Sequence, residues 1–477
     1  MATTRIAVIG AGPGGYVAAI RAAQLGAEVT LIEADNVGGT CLNHGCIPSK
    51  VMITTAEMVE KLQRAAEFGI AIEGSVQPDM QRLMARKNAV IKNQIRGIEN
   101  LLKHNRIQVV RGTGYIRSPG LAAVRQAAGD LEIPWDRLIL ATGTKPLEIP
   151  AFPFDGKNII SSDHALNLET VPSSIVIVGG GVIGCEFAFI LSALGARVTV
   201  VEALSRLLPL PSVDESCSKV LQREMKKRKI NVLLNRTVQI CEDAGEVLRI
   251  TIGASSFVQN PSTKDRQPMT IEATQMLVCI GRQPNTADIG LECLGIQPDD
   301  RGWLVVDEKM ETAVRGVYAI GDLLGPPKIM LAHVASAEAM VAAENAVGRE
   351  RSMDYTVVPG AIYTIPEVAN VGLSESQAAE KGLNFRADSV LFRTLGKAQV
   401  IGEIAGEAKI ISDADSGRIL GVHIVGPHAT DLIAEATVVM RMRGGVEDIA
   451  TTIHAHPTLT EIMMEVSFKA LDRSLHG

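Results

Sequence analysis

The apolar positions of the chain fall into short runs that stop at glycines. Ile6-Ala7-Val8-Ile9 reads as a buried strand, being continuously apolar and too short for a helix. It leads into Gly10-Ala11-Gly12-Pro13-Gly14-Gly15, a helical pattern, and then Val29-Thr30-Leu31-Ile32. The same phrase returns as Ile175-Val176-Ile177-Val178, Gly179-Gly180-Gly181-Val182-Ile183-Gly184 and Val198-Thr199-Val200-Val201. Between the copies, the pattern predicts helices over about 50–70 and 77–104 and short strands from 107 to 140. Residues 139–144 return the chain to the first unit, and 276–282 look like the matching return of the second. A further strand over 312–322 ends in Gly321-Asp322, and from about 350 strands and helices mix. The expected fold is α/β, with two Rossmann-like dinucleotide-binding domains and an α+β C-terminal domain. The expected segments are 1–148, 149–280, 281–350 and 351–477.

The repeat has chemical content. A glycine set G-x-G-x-x-G that ends a strand and opens a helix lets backbone N–H groups approach a pyrophosphate at the helix N-terminus. Gly10, Gly12 and Gly15 meet that pattern, and Gly179, Gly181 and Gly184 meet it again. Glu33 and Glu202 close the second strand of each copy, where a carboxylate accepts hydrogen bonds from ribose hydroxyls. First glycine, helix-end glycine (Gly26, Gly195) and acid are all displaced by 169 positions. Two such units on one chain suggest two dinucleotides with electrons passing between them. Glu202 opposes a 2′-phosphate and so favours NAD(H), while Arg206, close behind, is a cation that could serve such a phosphate instead.

Composition narrows the field. A 477-residue chain is too long for one core. Its net charge of −6, with no basic stripe expected, and its 3% aromatic content argue against nucleic acid as the main partner. The most apolar stretch, 175–204, is interrupted by glycines and Glu186 and is not a membrane span. The first strand begins near residue 5, leaving no room for a signal peptide, and a cytoplasmic location is expected.

Seven cysteines do not make a disulfide scaffold in so long a chain, but Cys41 and Cys46 stand as a spaced pair behind the first glycine set. On a regular helix their Cα atoms would lie roughly 8–9 Å apart, beyond the reach of about 7 Å that a disulfide allows. They can bridge only if Cys41 lies outside the helix or its first turn is distorted, and Gly45 and Pro48 supply backbone for such a start. A helix N-terminus there would lower the thiol pKa values. A buried structural pair and half of a metal site remain the other readings, although no second cysteine pair lies nearby to complete a zinc site. Cys185, Cys217, Cys241, Cys279 and Cys293 occupy apolar settings and are expected in the core.

Together, the run Gly39-Thr40-Cys41-Leu42-Asn43-His44-Gly45-Cys46-Ile47-Pro48-Ser49-Lys50, both glycine sets, Tyr318-Ala319-Ile320-Gly321-Asp322, residues 361–369 and His454-Ala455-His456-Pro457-Thr458-Leu459-Thr460-Glu461 carry a family likeness. The chain resembles the flavin-dependent pyridine nucleotide–disulfide oxidoreductases over essentially its whole length. The resemblance implies FAD on 1–148 with 281–350, NAD on 149–280, and a homodimer built through 351–477. It implies a redox disulfide, with Cys41 attacked by substrate and Cys46 held against the flavin. His456, contributed to the site of the other subunit, would be the base, Glu461 its orienting carboxylate, and Lys50 with Glu186 an ion pair beside the flavin. Thr40, Lys50, Gly114, Thr142, Gly143, Asp322, Leu331, Ala332 and His333 would contact FAD, and Val238, Gly281 and Arg282 would join the nucleotide contacts. No metal is implied.

Within the family the motifs are most similar to members that oxidise protein-bound dihydrolipoamide with NAD⁺. The partner would be a lipoyl-bearing acyltransferase or lipoyl carrier protein on a separate chain. A disulfide reductase with another thiol substrate and a non-catalytic flavoprotein scaffold are the alternatives. Taken singly, His456 reads as a packed histidine, Lys50 and Glu186 as surface charges, and His44 as an exposed side chain. His44 and the run Val51-Met52-Ile53-Thr54-Thr55 depart from the family's usual residues.

Overall fold

A strand that is apolar on both faces must be covered on both sides, and Ile6–Ile9 duly lies inside a parallel sheet. The computed structural model describes residues 3–126, 129–258 and 267–476. It orders the first sheet Val317–Ala319, Arg137–Leu140, Arg5–Ile9, Glu28–Glu33, Gln108–Arg111, with every pairing parallel. Val8, Leu31, Leu138, Ile139 and Leu140 are fully buried in its core. The helix Pro13–Gln24 begins with proline in its first turn and turns Gly14, Gly15, Ala18, Ala19 and Ala22 inward, small residues that permit close packing on the sheet. Arg21 ties this helix to Ala332–Ala346 through Glu344 at 2.6 Å.

The second parallel sheet runs Asn231–Leu233, Arg197–Val201, Ser174–Val178, Gln275–Val278, Ile159–Ile160. Its register repeats the first: Ile6 faces Val29, and Ile175 faces Val198. Each copy also carries a three-stranded antiparallel sheet, Thr113–Ser118 with its neighbours in one and Arg236–Asp243 with its neighbours in the other. The C-terminal part is a five-stranded antiparallel sheet, Gly360–Ile362, Glu367–Gly372, Ile419–Gly426, Glu407–Asp413, Phe385–Leu391, joined by the helices Ala429–Arg441, Val446–Ala450 and Glu461–Ala470. By contacts the chain forms two units. Met1–Val51, Gln81–Leu147 and Gly281–Asp354 make one; Met52–Met80, Glu148–Ile280 and Tyr355–Gly477 make the other.

Several expectations are corrected. The helix placed at 50–70 is Cys46–Gln63 followed by a short turn at Ala65–Phe68, and the one placed at 77–104 begins at Met80. The strand over 312–322 is only Val317–Ala319, and Asp322 sits on the tight helical turn Gly321–Leu324. Cys185 and Cys217 are buried, but Cys241 and Cys279 are half-buried and Cys293 is exposed on the short turn Leu291–Leu294. The net charge also conceals a basic stripe. At 100° per residue, the exposed Arg82, Arg86, Lys92, Arg96 and Lys103 share one face of the helix Met80–His104.

Candidate active site

The two glycine loops are built alike. Gly10 and Gly179 take φ of 100° and 106°, and a Cβ at either would collide with the return strand, 2.2 Å from Ala141 O and 2.5 Å from Cys279 O. Only glycine permits that approach. The middle glycines face open space instead: a Cβ on Gly12 would meet nothing nearer than 3.9 Å, and one on Gly181 nothing within 4 Å. The acids are held in matching ways. Glu33 accepts from the Ala11 N–H at 2.6 Å and the Asp35 N–H at 2.8 Å; Glu202 accepts from Gly180 and Leu204 at the same two distances. A carboxylate has about four acceptor positions, so two remain for ribose hydroxyls. Open glycine faces above helix N-termini, each with a clamped acid, fit the pyrophosphate and ribose of a dinucleotide.

Arg206 is committed elsewhere than to a phosphate. Its guanidinium donates to Leu208 O and Ser218 Oγ, both at 2.8 Å, and to Leu210 O and Val213 O. Val238 packs its side chain into the core cluster with Val201, Ile250 and Ile252.

In the first unit, Thr142 and Asn285 exchange two hydrogen bonds at 2.8 and 2.9 Å, fixing the turn through Gly143. Arg282 Nε donates to Thr144 Oγ1 at 2.7 Å, and that hydroxyl donates to Asp322 at 3.2 Å. Burial raises the Asp322 carboxyl above its usual range, with Arg282 and Thr144 opposing. Gly114 is pressed against Ile32 and Ile9, where a Cβ would come within 2.8 Å of the first. Leu331 leads into the helix Ala332–Ala346, whose first turn leaves His333 exposed. Asn285 and Thr144 are functional candidates that the sequence reading missed, since only the folded return strands bring them to Thr142 and Asp322.

The cysteines lie on different helices. Thr40 and Cys41 belong to the short helix Gly39–Asn43, which stops at His44, and Cys46 opens Cys46–Gln63. Gly45 makes the break possible, because a Cβ there would sit 3.0 Å from Thr40 O. The distortion needed to bring the sulfurs together is therefore present, and the Cys41 side chain meets that of Cys46. Cys41 departs from the lowered pKa expected of the pair. The contact with Cys46 comes first, and burial second, in pushing its pKa well above the ordinary thiol range, with Lys50 opposing. Lys50 Nζ also donates to Ser49 Oγ at 3.3 Å. His44 is partly exposed and reaches Asp35 at 3.3 Å.

In the second unit, His456 Nδ1 and Glu461 Oε1 are 2.8 Å apart. Glu461 takes the Thr458 N–H on its other oxygen at 2.9 Å. Burial works against its charge, but His456 and Thr458 together hold its carboxyl below the usual range. An ionised carboxylate only accepts, so Nδ1 carries a proton toward it. The His456 side chain is 76% exposed, unlike the packed histidine of the plain reading, and His454 is the packed neighbour, bonded to Glu435 at 2.9 Å. Glu186 is not a surface charge: it is 5% exposed and accepts from the Tyr363 N–H at 3.0 Å. Among the described residues, no group of three or more His, Cys, Asp or Glu could hold a metal ion, and no helix is long and apolar enough to cross a membrane.

Paired dinucleotide loops, a thiol pair and a histidine–carboxylate pair on one chain define a nucleotide-linked dithiol oxidoreductase. Residues 4–339 match the pyridine nucleotide-disulphide oxidoreductases and residues 358–467 their dimerisation domain, so the chain belongs to this family of FAD-dependent enzymes that work with NAD(H). It is 41% identical, over 98% of its length and 97% of the relative's, to dihydrolipoyl dehydrogenase of Chlamydia muridarum. It is 38% identical to that of Geobacillus stearothermophilus, over 99% and 97%. Among solved structures it resembles LpdA from Mycobacterium tuberculosis, with a TM-score of 0.88 and 29% identity over 98% of this chain and 99% of the other. The flavoprotein disulfide reductase RclA of Escherichia coli aligns with a TM-score of 0.83 and 25% identity, over 97% and 99%.

Proposed function

We propose that the chain oxidises protein-bound dihydrolipoyl groups to lipoyl groups with NAD⁺, as a homodimer in the cytoplasm. The observation that carries this reading is the cysteine pair directly behind the first dinucleotide loop, split between two helices at Gly45 so that the two side chains meet. The shared name of relatives matched over nearly the whole chain supplies the substrate. In this reading, the first loop with Glu33 and Asp322 holds FAD, and the second with Glu202 holds NAD⁺. The lipoyl group arrives on a separate acyltransferase or carrier protein.

His456 of the partner subunit takes a proton from the substrate dithiol at Nε2, while Glu461 fixes the ring through Nδ1. The thiolate attacks Cys41 Sγ, the Cys41–Cys46 bond breaks, and Cys46 leaves with the electron pair. The second substrate thiol then closes the lipoyl disulfide and expels the Cys41 sulfur, which takes up the proton that this thiol gives up. Lys50, the cation beside this pair, counters the charge left on the sulfurs. FAD, bound at the first loop, would supply the two-electron chemistry that links this dithiol to NAD⁺ and so allows the disulfide to re-form.

Storing the electrons on the protein separates the two half-reactions. Initial rates at several fixed NAD⁺ concentrations are therefore expected to give parallel double-reciprocal lines. Intersecting lines would show a ternary complex and remove the reading.

A further inference from the structure

The segment between Glu202 and the helix Glu215–Lys227 has no regular structure, yet its Leu207 and Leu208 are buried. Its backbone groups need partners of their own. Arg206 supplies them: Nη1 donates to Leu208 O and Ser218 Oγ at 2.8 Å each, and Nη2 to Leu210 O at 2.8 Å and Val213 O at 3.1 Å. Ser218 Oγ then donates to Leu207 O at 2.6 Å. Four of the five guanidinium donors are thus spent on one loop and the helix that follows it.

The loop so held reaches the second glycine set. Leu208, kept at a left-handed φ of 47°, donates its N–H to Gly180 O at 2.8 Å. Leu207 packs so closely that a Cβ on Gly180 would lie 3.0 Å from its Cδ2. The Gly180 N–H in turn donates to Glu202 Oε2 at 2.6 Å, and the Leu204 N–H to Oε1 at 2.8 Å. The chain of contacts runs from Arg206 through the loop to Gly180 and the carboxylate.

We infer that Arg206 is a positioning residue of the second dinucleotide site. It holds the loop that fixes Gly180 and Glu202, and by spending its guanidinium there it favours a dinucleotide whose adenosine ribose bears no phosphate. The inference rests on the reading of this site as the one for NAD⁺.

The test is steady-state and rapid kinetics on the FAD-loaded enzyme. Arg206→Ala is expected to raise the KM for NAD⁺ about tenfold with little change in kcat. Its preference for NAD⁺ over NADP⁺ in kcat/KM should fall, while flavin reduction by dihydrolipoamide without NAD⁺ keeps the wild-type rate. Arg206→Lys keeps the charge but loses the planar fork that spans these acceptors, so it should behave like the alanine variant. If the alanine variant fails to fold, the lysine variant carries the same test. Wild-type behaviour of Arg206→Lys, an unchanged NAD⁺ KM in Arg206→Ala, or loss of NADP⁺ use alone would overturn the inference. Glu202→Ala, measured alongside, separates the two failures. If it leaves the NAD⁺ KM unchanged, the reading of the site falls; if it raises that KM while Arg206→Ala does not, only the role of Arg206 falls.

Discussion

Glu461 occupies one ring nitrogen of His456, so in the proposed reaction the other would take the thiol proton. The carboxyl is held below its usual range, so it remains an acceptor through the whole neutral range. His456→Gln should slow flavin reduction by dihydrolipoamide by about 10²–10⁴-fold. Flavin reduction by NADH should be untouched, because no substrate thiol is deprotonated there; stopped-flow absorbance reads both, and equal losses would move His456 out of the thiol step. Gly10 and Glu33 were legible because their spacing encodes a backbone turn and an acceptor position, whereas Cys41 and His456 took their roles only from the likeness of the motifs around them. The direction of the Cys41 pKa was not legible, since it depends on which helix each sulfur belongs to. Cys293 misled because apolar neighbours in sequence, Leu291 and Leu294, do not decide which way a short turn faces.

Elements behave as the pattern of apolar positions suggests where they are strands. Both parallel sheets were readable, because each central strand is apolar on both faces. Helix starts were less so: Cys46 precedes the periodic residues, and only the Gly45 break sets it off from Gly39–Asn43. Wholly illegible was the tie between the helix Glu215–Lys227 and the antiparallel sheet. Its cap Asp214 meets Lys409 at 3.0 Å and the Glu375 N–H at 3.1 Å, and His423 lies against its backbone. Lys409 also pairs with Glu375. Lys409→Met takes the paired cation from the buried Asp214 carboxylate, leaving it the Ser216 and Glu375 N–H donors, and should cost about 1–3 kcal/mol in unfolding free energy, measurable by denaturant titration.

The same cluster sets an acid limit. Burial holds the His423 pKa below its ordinary value, Asp214 opposing and Lys409 assisting. Its contribution to stability is complete above about pH 6.5 and is lost as pH falls below that value. Burial would raise the Asp214 pKa, but the Ser216 N–H and Lys409 bring it to about 2, so its contribution disappears only between about pH 4 and 2. The thermal midpoint should therefore drop in two stages on acidification, and His423→Asn should remove the upper one. A midpoint that declines equally from pH 7 in that variant would exclude His423 as the source.

The whole molecule repeats one nucleotide-binding design and adds the family's dimerisation domain at 358–467. Duplication was visible in the sequence because the 169-residue displacement preserves glycine, strand and acid together. A site shared between subunits predicts complementation. Mixed dimers of Cys41→Ser and His456→Gln chains contain one site with both native groups, so random reassociation should restore about a quarter of wild-type activity. No recovery would confine each site to a single chain.

In the proposed reaction dihydrolipoyl electrons enter at Cys41 and Cys46 and leave on NAD⁺. Anaerobic titration of the FAD-loaded enzyme with dihydrolipoamide, followed by NAD⁺, tests it most directly. The flavin spectrum should change on adding the dithiol and revert on adding NAD⁺ as NADH absorbance rises in proportion. A flavin that NADH reduces but dihydrolipoamide leaves unchanged would contradict it.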